Sequence, residues 1–210
     1  MSTRVLPRRF YARPTLVVAR ALLGKELLWR GEGGPMGGRI VEVEAYLGAS
    51  DPASHAYRGE TPRNRTMFGA PGHAYVYFTY GMHHCMNVVT EEAGTPHAIL
   101  LRALAPTTGL ERWRAARPDL PLARIASGPG RLCRALGLDR SHDGLDLTRS
   151  ELIVRTLAGA RAAGAVIESR EVGSREIRSG PRIGIRLARE LPYRFWLAGE
   201  PAVSGPRERG

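Results

Sequence analysis

An α+β domain organised around a largely antiparallel sheet is the fold class this sequence predicts. Two segments read as β-hairpins, with alternating apolar residues on either side of a turn. Helical apolar spacing is limited to a few short segments, the first near the start and the others past the middle. The 210 residues, 43% hydrophobic and 24% charged, suit one substantial core, so 1–210 is expected to form a single domain with loose ends at 1–7 and 201–210.

Residues 12–24, ARPTLVVARALLG, follow helical spacing, with Thr15 as candidate N-cap and Gly24 as the stop. ELLWRGEGGPMGGRIVEVEAYLG reads as a hairpin whose strands flank a Gly/Pro turn at 33–38. Residues 48–73 are rich in Gly, Pro, Asp, Asn and Arg, and a connection of that length in a compact domain is usually functional. HAYVYFTYGMHHCMNVV predicts two strands around a tight turn at Tyr80–Gly81, and HAILLRALAP a further strand. TGLERWRAAR and SGPGRLCRALGL predict helices, the second with Ser127 as candidate cap. PRIGIRLAR and PYRFWLAG read as late strands, with a helical alternative for the first. No internal repeat or low-complexity segment interrupts the pattern.

Charge is the first functional signal. Lys and Arg number 31 against 20 Asp and Glu, a net charge of +11 and a pI near 10.7. Lys25 is the only lysine. Codon bias in a GC-rich genome accounts for arginine over lysine, but not for the excess of base over acid. A field of this sign favours a polyanion such as nucleic acid or an anionic membrane surface. Cys85 and Cys133 make no disulfide framework and fit a reducing cytosol. The first residues contain no secretory h-region, and no stretch is long and apolar enough to span a bilayer.

Within VEVEAYLGASDPASHAY, alternation puts Val41, Val43, Ala45 and Leu47 on one face and Ile40, Glu42, Glu44 and Tyr46 on the other. Two acids beside an aromatic ring suit the wall of a cleft, although a solvated sheet face with ordinary glutamates reads as well. YVYFTYGM places Tyr75, Tyr77 and Thr79 together, either as a stacking wall for a base or as a packed ladder. Tyr80, at a hairpin tip in a basic protein, is a candidate wedge between bases. Asn87 in an apolar strand needs hydrogen-bond partners or serves as a specificity gate, and Arg102 in ILLRALAP needs an acid or an anion. His83, His84 and Cys85 are adjacent on a strand and point to opposite faces, which argues against a shared metal. SGPG is first a turn, and secondly a seat for phosphate at a helix N-terminus.

Taken in order, RIVEVEAYLG, TPRNRTMF, YVYFTYGMHHCMN, LLRALAP and SGPGRLCRALGL closely resemble the alkyladenine DNA glycosylase family, the mammalian-type 3-methyladenine DNA glycosylases, over about residues 8–200. The resemblance implies a curved, open-barrel-like antiparallel sheet with surrounding helices and a protruding β-hairpin. Glu44 matches the general base that activates water, and Arg102 lies near that water and a phosphate. Tyr46 and Tyr77 match opposite walls of the base pocket, with Leu100 close by. His55 matches a histidine contacting the flipped base and its phosphate, and Asn87 the residue that crowds the exocyclic amine of guanine. Tyr80 matches the intercalating residue, with Met82 beside it. Arg63, Arg65, Ser127 and Arg131 are expected at the DNA backbone, and Ile183 near the water site. Three departures stand out: Glu42 replaces a small polar residue, the loop between His55 and Thr61 is shorter, and the N-terminal tail of the mammalian members is absent.

What the resemblance implies is a monofunctional base-excision-repair glycosylase with no cofactor and no metal. It would act as a monomer on double-stranded DNA bearing a damaged purine and not on membranes, in the cytoplasm near the nucleoid if prokaryotic. Its lesions would be 3-methyladenine, ethenoadenine or hypoxanthine. A non-catalytic nucleic-acid-binding module would share the charge and the aromatics, but gains nothing from an acid in an anion-binding cleft. A metal-dependent nuclease built on Glu42, Glu44 and a histidine is a further alternative.

Overall fold

The computed structural model describes residues 3–79, 81–157, 171–172 and 175–205. The strands are β1 (Glu26–Trp29), β2 (Met36–Leu47), β3 (Ala74–Thr79), β4 (His83–Thr90), β5 (His97–Thr108), β6 (Leu152–Arg155), β7 (Glu171–Val172), β8 (Arg175–Gly180) and β9 (Arg194–Leu197). The helices are α1 (Arg8–Tyr11), α2 (Thr15–Leu22), α3 (Leu110–Ala116), α4 (Leu122–Ile125) and α5 (Pro129–Leu136). Every pairing in the sheet is antiparallel, in the order β3-β4-β5-β2-β9-β8-β7, with β1 joining β2 to β6. The predicted α+β class with a curled antiparallel sheet is therefore the observed one.

β2 and β5, twelve residues each, form the spine. One edge of β2 runs along β5, while the other is divided: Met36–Arg39 pair with β1 and Glu42–Glu44 with β9. A strand shared between two branches obliges the sheet to curl, because the branches diverge with the twist of each pair. The helices cover one side. In α2 the buried residues Thr15, Val18, Ala19 and Leu22 recur at i, i+3, i+4 and i+7, the stripe a core-facing helix needs. In α5 Leu132, Cys133, Ala135 and Leu136 are buried while Arg131 and Arg134 face out, and Gly137 closes the helix in the left-handed conformation (φ 69°). Trp113 of α3 is fully buried, its indole N–H donating to the carbonyls of Gly37 and Thr108, both at 3.1 Å.

Several expectations need correction. Pro14, not Thr15, occupies the cap position of α2; the Thr15 hydroxyl instead donates to Glu91 at 2.7 Å. Gly128, not Ser127, precedes α5. PRIGIRLAR forms neither strand nor helix, because Arg182 and Ile183 are drawn into side-chain and carboxylate contacts in place of a ladder. The short elements α1, α4, β6 and β8 carry too few residues for their period to be read. Among the described residues near the termini, Val5 bridges Arg155, and Leu6, Ala202 and Ser204 are buried.

Candidate active site

Glu42 and Glu44 are both completely buried, and what reaches them is set by a pair of irregularities in the spine. Register runs Ile40↔Leu104, Glu42↔Ala103, Val43↔Leu101, so β2 carries one extra residue at Val41 and β5 one at Arg102. The two bulges cancel in register, and bulges characteristically re-aim side chains beside active sites. They also break the simple alternation: Ile40, expected beside the glutamates, joins Val41 in the core. The displaced residue of β5, Arg102, bridges the two acids. Its Nε donates to Glu42 at 2.9 Å, and its Nη1 lies 3.1 Å from Glu44. Burial opposes the arginine's charge, but the Glu44 and Glu42 carboxylates outweigh it and hold the guanidinium above its usual pKa.

The two acids have different surroundings. Glu42 also accepts from Arg194 Nε at 2.7 Å and from the Ser204 N–H at 2.6 Å, neither of which lines the cavity that lies over Glu44. It is a counter-ion locking β2, β5, β9 and the C-terminal segment, which accounts for an acid where a small polar residue was expected. Glu44 accepts from the Ile183 N–H at 2.7 Å and the Tyr46 hydroxyl at 2.9 Å, besides meeting Arg102. A carboxylate has about four lone-pair directions, so three contacts leave roughly one for a further donor.

Tyr46, Arg102 and Ile183, which cover Glu44, themselves line a cavity of about 350 Å³, at the small end of ordinary ligand sites. His55, Tyr77, Asn87 and Leu100 line it too, so six of the residues singled out as catalytic or pocket-forming converge on one space. Tyr75 and Tyr77 stack at 5.3 Å, and the His55 ring meets Tyr77 edge-on at 4.5 Å. His55 Nδ1 lies 3.0 Å from the Tyr75 hydroxyl. Desolvation against these rings, and secondly the Arg63 cation, lower the His55 pKa to about 4. The ring's exposed outer edge moderates that depression, and the imidazole is neutral at pH 7. The loop holding it is pinned by buried Asn64, which donates to the His55 and Gly59 carbonyls at 2.9 and 3.0 Å.

The remaining residues lie around the mouth. Met82, in the turn just before β4, is 71% exposed, with Phe78 of β3 also exposed. Tyr80 lies outside the described residues. Arg63 sits over the Tyr77 ring at 5.3 Å, and the exposed Arg65 pairs with Glu60. Arg131 lines a neighbouring groove with His83 and Arg134. Ser127 borders the same groove but is nearly buried, its hydroxyl 3.4 Å from the Val203 carbonyl. Among the described residues no group of three His, Cys, Asp or Glu is placed to hold a metal ion, and no helix is long and apolar enough to cross a membrane. Sequence reasoning passed over Met67, Cys85, Ile185 and Leu187 as cavity residues, and Tyr75 as the partner of His55. The period-two pattern leading to Tyr77 already pointed at Tyr75; the others had no local signal.

A buried carboxylate beneath a cavity walled by tyrosines, in a strongly basic protein, defines an enzyme that handles a flat ring belonging to a polyanion. The chain belongs to the methylpurine-DNA glycosylase (MPG) family, whose family model matches residues 9–201. It is thus a DNA glycosylase. Among curated relatives, one from Burkholderia lata is 48% identical over 98% of this chain and 93% of its own length. Another from Frankia casuarinae is 50% identical over 94% and 91%. A third, from Carboxydothermus hydrogenoformans, is 44% identical over 95% and 98%. All three carry the name "Putative 3-methyladenine DNA glycosylase".

Proposed function

We propose that the protein excises 3-methyladenine, and with it ethenoadenine and hypoxanthine, from double-stranded DNA in base-excision repair. The lesion is turned out of the helix, at a cost of a few kcal/mol, into the cavity between Tyr46 and Tyr77. Glu44 takes a proton from a water whose oxygen bonds to C1′ of the sugar. The N-glycosidic electron pair departs with the base, leaving an abasic site and a protonated carboxyl group. The sugar passes through an oxocarbenium-like state, which the Glu44 charge also favours. An alkylated purine is already cationic and leaves without help. Since His55 is neutral at pH 7, it hydrogen-bonds the flipped nucleotide but is no ready proton donor, which favours cationic lesions over neutral ones. Leu100 and Asn87 border the base, Tyr80 and Met82 fill the gap in the stack, and Arg63, Arg65, Ser127 and Arg131 meet the backbone.

The burial of Glu44 directly beneath the aromatic cavity, with all three of its partners, Tyr46, Arg102 and Ile183, lining that cavity, carries this reading. A module that only binds DNA would gain nothing from that acid. Glu44→Gln keeps the shape and removes the base. Under single turnover in EDTA, on duplexes bearing one lesion, the variant is expected to bind with unchanged Kd and to excise about 10²–10⁴-fold more slowly. Excision at the wild-type rate would remove Glu44 from the mechanism, and loss of all activity in EDTA from the wild type would indicate metal-dependent chemistry instead.

A further inference from the structure

We propose that the buried Arg182–Asp51 pair is a positioning device that sets the carboxylate of Glu44, an inference that rests on reading Glu44 as the general base. Arg182 and Asp51 are 5% and 1% exposed, and the guanidinium grips the carboxylate with two nitrogens, Nη2 donating at 2.8 Å. Arg182 reaches the surroundings of Glu44 by three routes, two through the guanidinium and one through the backbone. Its Nη1 donates to the carbonyl of Ala45, the residue after Glu44, at 2.9 Å. Its plane lies 4.7 Å from the ring of Tyr46, whose hydroxyl donates to Glu44. Its backbone leads directly into Ile183, whose N–H donates to the other Glu44 oxygen. Asp51 in turn ties the clamp to the loop carrying His55, accepting from the Leu47 and Ala53 N–H groups at 3.2 and 3.1 Å.

A stabilising role alone explains this poorly. A buried ion pair is generally no more stabilising than apolar residues of equal volume. Here the Arg182 Nε is also buried without a hydrogen-bond partner, an added cost. What the pair supplies is geometry. A planar fork that must satisfy Asp51, the Ala45 carbonyl and the Tyr46 face has one orientation, and that orientation fixes the Ile183 N–H. Lysine keeps the charge but has neither the fork nor the stacking plane. The groups acting electrostatically on Glu44 are Arg102, Arg182, Tyr46 and Cys85, together with the Ile183 N–H. Slackening the clamp lets the Ile183 N–H and the Tyr46 hydroxyl drift, so the carboxylate loses its aim while the walls that bind the lesion stay in place.

The test compares wild type, Arg182→Lys, Asp51→Asn and Glu44→Gln for Tm, lesion-duplex Kd and single-turnover excision between about pH 5 and 9. Arg182→Lys is expected to bind the lesion within about twofold of wild type and to excise about 10- to 100-fold more slowly. Asp51→Asn, nearly isosteric, is expected to do the same in milder form and carries the test if Arg182→Lys does not fold. A wild-type rate in the folded variants overturns the proposal. So does a parallel loss of rate and affinity, which marks a merely structural pair. If Glu44→Gln itself excises normally, the general-base reading fails instead, and the two failures are thereby told apart.

Discussion

His55 illustrates how a neighbourhood decides a side chain's state. Its pKa of about 4 lies below the ordinary histidine value of 6.5, so between these values the unfolded chain binds more protons than the folded one. Stability linked to this ring is therefore complete above pH 6.5 and is lost as the pH falls toward 4. His55→Asn should lose less stability than wild type over that interval, and the imidazole C2 proton of the native protein should titrate below pH 6.5 by NMR. Asn87 is the second residue with a testable setting. It lines the cavity and its amide donates to the Tyr75 carbonyl at 3.1 Å, so it is held against swinging away from an incoming ring. If it excludes the 2-amino group of guanine by clash, Asn87→Ser should shift the ratio of kcat/KM for 7-methylguanine over hypoxanthine upward about tenfold. An unchanged ratio would make Asn87 a strand residue satisfying its neighbour.

At the scale of elements, the paired bulges of β2 and β5 turn two ordinary strands into a charged centre. Glu42 compensates Arg102 and Arg194, whose side chains are only 7% and 9% exposed. Glu42→Ala leaves both cations buried without it and should destabilise the fold by about 3–5 kcal/mol, measured as a lower urea midpoint with unchanged m. What was legible in the sequence followed the range of the interaction. The placement of Glu44 beside Tyr46, and of Tyr75 beside Tyr77, follows from the two-residue repeat of a strand. The helical stripe of α2 likewise lies within eight consecutive residues. The double bulge is invisible because Val41 and Arg102 are sterically ordinary strand residues, and only the pairing of two distant strands makes each of them surplus. PRIGIRLAR misled for the related reason that its alternation is real, but Arg182 and Ile183 spend their hydrogen-bonding groups on Asp51 and Glu44.

For the molecule as a whole, the +11 charge sets how it meets DNA. Affinity should fall linearly with salt on a logarithmic plot. Arg131→Ala should lower the slope by about 0.9 for each phosphate left unneutralised, while keeping the preference for lesion over undamaged duplex intact. Fluorescence anisotropy over a salt series checks both. A steady slope in the variant would free Arg131 from the backbone. The molecule's assembly also depends on its most distant partners: the Ser204 N–H reaches Glu42 across 162 positions, while the Ser204 carbonyl and hydroxyl receive Arg194 and Arg102. Translation lays down β2 early and this clasp late. A message broken between codons 188 and 203 therefore encodes every wall of the cleft yet omits the Ser204 hydrogen bonds that close the buried cluster. Such a fragment leaves three buried polar groups short of a partner and should be digested by protease faster than the full chain.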